Sequence, residues 1–88
     1  MNIETIWHLI RQERTRQHEQ WTGPHRWGAG DCSSTETDHI VKVAVLTEEC
    51  GEVARAVLDE NTEDLVTELV QTAAVAVAWL EALPEHYA

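Results

Sequence analysis

Apolar side chains recur at steps of three and four over Ile3, Ile6, Trp7, Leu9 and Ile10, then give way to a polar run from Arg11 to Gln20. This is the pattern of an amphipathic helix over residues 1 to 20, packed along its first half and solvated along its second. Gly23, Pro24, Gly28, Gly30, Ser33 and Ser34 break all periodicity, so residues 21 to 36 form a long loop. Helical spacing resumes with Ile40, Val43, Ala44, Val45, Leu46, Val53, Ala54, Val57 and Leu58, predicting a second helix over 37 to 60. Asn61 then supplies an N-cap, with Glu63 and Asp64 in the first turn, for a third helix over 62 to 83 that Pro84 stops.

Between Leu69 and Leu83 the third helix is apolar on nearly every side. One neighbouring helix cannot cover such a surface, so an all-α antiparallel bundle completed by oligomerisation is expected, as a homodimer or a dimer-of-dimers tetramer. Length points the same way, because 88 residues make one domain with a small core of Ala, Val, Leu and four Trp. Trp7 and Trp79 fall on apolar faces and are expected in that core. The opening Met1-Asn2-Ile3-Glu4 lacks a basic region followed by an apolar stretch, so a cytoplasmic location is expected. The most apolar run is also well short of the roughly 20 residues of a membrane span. Cys32 and Cys50 show no zinc spacing and are expected as free thiols.

Charge changes the picture. Sixteen acidic residues against six basic ones give a net charge of -10, a balance that repels nucleic acid. It serves either plain solubility or the holding of divalent cations, which prefer oxygen ligands. Glu49 and Glu52 share a face of the second helix at i,i+3, and Glu68 and Gln71 repeat that spacing on the third. An antiparallel turn near Asn61 sets Glu52 opposite Leu69 and Glu49 opposite Thr72, so the two pairs face each other if both helices turn those faces inward. Two carboxylates about 4 Å apart repel by about 4 kcal/mol at an effective dielectric of 20, a cost that a bound Mg²⁺ or Mn²⁺ removes. Glu48, next round the helix, can hold a second ion or act as general base. The alternative is a solvated acidic face with Arg55 paired to Glu52.

The stretch L-T-E-E-C-G-E-V-A-R-A over Leu46 to Ala56, followed by E-L-V-Q sixteen residues after Glu52, resembles the MazG-like, all-alpha NTP pyrophosphatase superfamily, whose pattern is EExxE, a spacer, then ExxD. The resemblance covers residues 37 to 83. It implies Mg²⁺-dependent hydrolysis of a nucleoside or deoxynucleoside triphosphate between the alpha and beta phosphates, with Glu49, Glu52 and Glu68 as metal ligands. Gln71 departs from the pattern, standing where the family has Asp, which leaves weaker metal affinity, reduced activity or a contribution from Asp64 open.

Lys42, two turns before Glu49 and about 10 Å away by helix rise, can reach a phosphate or can be a surface lysine. The loop carries Trp21, His25, Arg26, Trp27 and Asp31; its tryptophans can stack on a base, Arg26 can bind phosphate and Asp31 can accept from base amino groups, as expected of a loop that covers substrate. Equally, Trp21 and Trp27 can cap the apolar end of the bundle. The expectation is therefore a magnesium-dependent pyrophosphohydrolase, with a catalytically weak helical protein binding nucleotide or a protein partner, or a phosphoribosyl-ATP pyrophosphatase-like enzyme, as alternatives.

Overall fold

The computed structural model describes all 88 residues. Three helices carry the chain: α1 (Ile3–Gln20), α2 (His39–Leu58) and α3 (Thr62–Glu81), with a short 3₁₀ turn at Glu85–Tyr87. Asn2 caps α1, its side chain accepting from the N–H of Thr5 at 2.9 Å, and Asn61 caps α3 by accepting from Asp64 N at 3.1 Å. Each cap satisfies one of the N–H groups that a helix start leaves without a partner. α2 starts two residues later than the apolar period predicts. Thr37 is buried and donates its hydroxyl to Ala29 O at 3.1 Å, so it belongs to the loop.

The loop is ordered by backbone pairing that apolar periodicity does not reveal. Two-residue strands β1 (Pro24–His25) and β2 (Gly28–Ala29) pair antiparallel around Arg26 and Trp27. Gly28 has φ +138°, and a Cβ there would lie 2.4 Å from Glu36 O, so only glycine lets the hairpin pass this close to the chain leading into α2.

α3 is the central helix. Its Ala74 and Ala78 are fully enclosed and Val75 nearly so, while Ile10 of α1 and Ala56 of α2 complete the buried apolar set. Both α1 and α2 pack on α3 and not on each other; the small side chains of α3 let its neighbours come close. Most of the second half of α1 is exposed, as its polarity predicts, with Glu13, Arg14 and Gln17 as the covered exceptions. The side chains of Glu13 and Arg14 are only 11% and 12% exposed, because this half packs along α3.

Only eight of 88 residues are buried, so a single chain leaves much of its apolar surface in water. Leu58, Ile40 and Leu80 are 77%, 73% and 67% exposed. Trp7, expected in the core, is half-exposed. Trp79 is partly covered, with its indole N–H donating to His39 Nδ1 at 2.8 Å. No helix is long and apolar enough to cross a membrane.

The α2–α3 connection closes as a Schellman motif, in which Asn61 N–H bonds Ala56 O and Glu60 N–H bonds Val57 O, both at 3.1 Å. This turn forces Glu60 to φ +53°, a left-handed conformation costing a residue with a Cβ about 1 kcal/mol. Glu60→Gly is expected to raise stability by about that amount in urea unfolding, and an unchanged midpoint would show that the turn is not strained.

Candidate functional site

Because the backbones of α1 and α2 do not pack against each other, a gap remains between them, floored by α3 at Val75 and closed at one end by the hairpin loop. It forms a cleft of about 710 Å³, within the range of small-ligand sites. Trp21, His25 and Trp27 stand along the loop side, Ile40, Val41, Ala44 and Val45 line the α2 side, and Glu48 and Glu49 belong to the same cleft. Arg16, Gln17 and Gln20 contribute the wall from α1.

The aromatic side is a cluster. Trp21 and His25 meet edge to face with centroids 5.5 Å apart, and Trp27 lies 6.3 Å from Trp21 and 6.2 Å from His25. His25 Nδ1 accepts from Trp27 N–H at 3.2 Å, so its Nε2–H donates to Gly30 O at 2.7 Å. Both ring nitrogens are thus used in holding the hairpin. Trp27 and Trp21 remain 51% and 40% exposed, available to an incoming flat ring.

At the acidic end, α2 and α3 bring Glu49, Glu68 and Gln71 together. With its amide nitrogen turned inward, Gln71 donates to Glu68 Oε2 at 3.0 Å and to Glu49 Oε2 at 3.3 Å. Partial burial raises the Glu49 carboxyl above its ordinary value, and the neighbouring charges of Glu68, Glu48, Glu13 and Glu52 raise it further. Glu68 is raised in the same way, by desolvation and then by Glu52, Asp64 and Glu13. Glu52 itself is exposed and acts on the pair through its charge.

Glu13 is the functional neighbour that the sequence pattern missed. It extends the stripe Ile3, Ile6, Ile10 by one more step, and Gln17 by another; a polar continuation of an apolar stripe was the available signal. Its carboxylate is bound by Arg16 at 2.6 and 2.8 Å and by Gln17 Nε2 at 3.1 Å. Arg16 is near enough to Glu49 for that charge to act on it as well.

Three expected binding residues have other partners. Lys42 is 2% exposed and does not line the cleft; its ammonium donates to Ser34 O at 2.8 Å and ties the loop to α2. Arg26 lies outside the cleft with its guanidinium 5.7 Å from the centroid of the Trp27 ring. Asp31 borders the cleft, but its carboxylate is committed: Oδ1 accepts from Ser33 N–H and hydroxyl at 2.9 and 2.5 Å, and Oδ2 from Arg14 at 3.0 Å. Arg14 in turn holds Glu81 through two bonds, joining the loop, α1 and α3. Cys32 also borders the cleft, but burial and Asp31 push its thiol upward, away from a nucleophilic thiolate.

All the donors that meet at Glu49, Glu68 and Gln71 are oxygens or an amide able to present one, which suits a hard cation. Even so, no group of three or more His, Cys, Asp or Glu side chains is arranged to hold a metal ion; two carboxylates and one amide converge, and the inward amide nitrogen takes the place of a cation. Comparison with protein-family models, with curated proteins and with solved structures finds no match to this chain.

Two pH effects of opposite sign follow. Burial favours protonation of Asp31, but Ser33 and Arg14 outweigh it and hold the carboxyl below its ordinary 3.8. Its stabilisation is therefore present above pH 3.8 and is lost as the pH falls through the lower folded value. Arg14→Met is expected to cost about 3 kcal/mol at pH 7 and to flatten that acid loss in thermal melts recorded from pH 2 to 7. Glu49 and Glu68 behave oppositely: their raised carboxyls favour the folded state when protonated, so stability falls as the pH rises through their folded values. In chelator at pH 8, Glu49→Gln should melt roughly 4 °C above the wild type, the effect of relieving about 1 kcal/mol of like-charge repulsion. An equal or lower melting temperature would mean that the cluster is not strained.

Proposed function

We propose that this chain hydrolyses a nucleoside or deoxynucleoside triphosphate to the monophosphate and pyrophosphate, in a Mg²⁺-dependent reaction of the MazG-like kind. The activity rests on one observation: a single cleft is bordered by exposed indoles at Trp21 and Trp27 and by the carboxylates of Glu48 and Glu49. A base stacks at the first, and the phosphates extend to the second.

Glu49, Glu68 and Gln71, with Glu52 beside them, would hold Mg²⁺, the Gln71 amide turning its oxygen inward. Bound there, the cation would offset the carboxylate repulsion and lend positive charge to the phosphates. Glu48 is exposed on the cleft and serves as general base, its carboxylate accepting a proton from the attacking water. Trp21 and Trp27 orient the base, and the loop they stand on is fixed by the buried ties at Asp31 and Lys42.

Self-association belongs to the same proposal. Exposure of Leu58, Leu69 and Leu80 on α2 and α3 supports a second copy covering those faces, with cytoplasmic function as a homo-oligomer.

A second reading has its own support. Gln71 satisfies Glu49 and Glu68 by hydrogen bonding, so the cluster can persist without a cation, as in a catalytically weak protein that only binds nucleotide. Incubation with a panel of NTPs and dNTPs and Mg²⁺ or Mn²⁺, with pyrophosphate as readout, separates the two. Release is expected to fall at least 100-fold in Glu49→Ala and to vanish in chelator. Absence of release from every substrate, or full release by Glu49→Ala, would remove the hydrolase.

A further inference from the structure

Beside the cation of the nucleotide reading, a triphosphate would also be met by a basic side chain, in a protein of net charge -10 with only six of them. Five of the six are placed elsewhere. Arg11 and Arg55 do not line the cleft, Arg14 is bound to Glu81 and Asp31, Arg26 lies over Trp27, and Lys42 is buried against Ser34 O. Arg16 alone lines it.

Its setting suits a ligand. The side chain is 54% exposed, so its approach is open. Glu13 holds Nε and Nη2, and Gln20 Oε1 accepts from Nη1 at 2.8 Å, which fixes the plane of the guanidinium. The Arg16 side of this i,i+3 pair is open to water, so a phosphate can reach the guanidinium, while Gln17 Nε2 still bonds the 11% exposed Glu13 carboxylate when Arg16 turns away. A planar guanidinium fork matches two phosphate oxygens at once. Arg16 also lies close enough to feel Glu49, hence at the acidic end of the cleft.

We propose that Arg16 is the phosphate-binding residue of the cleft, exchanging its bonds to Glu13 for phosphate oxygens of a nucleoside triphosphate. Gln20 is its positioning partner, and Glu13 occupies the guanidinium until phosphate displaces it. The assignment rests on the nucleotide reading of the cleft but names a contact which that reading does not require.

The test is a tryptophan-fluorescence titration of the full chain in Mg²⁺ with nonhydrolysable α,β-imido triphosphates of the common nucleosides, and in parallel with the nucleosides themselves. Arg16→Gln is expected to raise the triphosphate Kd about tenfold and leave the nucleoside Kd within twofold. Arg16→Lys should fall between the two, and Glu13→Gln, which frees the guanidinium, should keep or tighten triphosphate binding. Circular dichroism verifies folding of each variant. An unchanged triphosphate Kd in Arg16→Gln overturns the assignment and leaves nucleotide binding standing. Equal weakening of nucleoside and triphosphate also overturns it, because the residue then only shapes the cleft. No triphosphate binding by the wild type overturns it together with the nucleotide reading.

Discussion

The constraint on which this structure depends is that α1 and α2 both pack on α3 and not on each other. A central helix can accept two neighbours closely only if its contact positions are small, and Ala74 and Ala78 are enclosed completely. Two helices set on one ridge leave a gap between them. The long connection from α1 to α2 has to cross the mouth of that gap, so the loop that carries Trp21 and Trp27 becomes a wall of the cleft.

That arrangement carries a cost at its acidic end. Glu49 and Glu68 are held near each other and near Glu13, and both carboxyls are raised. A protein selected only for stability would keep such groups apart, since like charges in a partly desolvated site repel strongly. Gln71 relieves part of the conflict by donating to both carboxylates, and Arg16 relieves another part through Glu13. Elsewhere the polar groups are matched: Asp31, Arg14 and Glu81 form a chain of ion pairs in which no buried atom lacks a partner. A satisfied network at the base of the loop thus contrasts with a strained cluster at the end of the cleft.

The scale of the core also matters. Eight buried residues out of 88 make a thin interior for a domain of this size. Half of the large apolar side chains left in water belong to α2 and α3, the helices whose apolar pattern is broadest. Small core and wide apolar surface are two consequences of one sequence property, a third helix that is apolar on nearly every side.

Spacing along the chain by itself determined the three helices, the Asn61 cap, the stop before Pro84 and the two i,i+3 pairs at Glu49–Glu52 and Glu68–Gln71, because these depend on local geometry with a fixed period. It also placed Glu49 level with the third-helix pair, since an antiparallel hairpin with a short turn fixes the register. What it could not decide was which polar side chains are consumed by the fold. Lys42, Asp31 and Arg26 have the right chemistry for a ligand, yet Lys42 and Asp31 are taken up by contacts between elements and Arg26 lies over Trp27. Glu13, which looks solvated in the sequence, is covered and meets the acidic cluster, and the exposed Arg16 lines the cleft. Only the tertiary structure settles such matters, because the partner of a polar group depends on how helices cross and rotate against one another, and no period within a single helix records that.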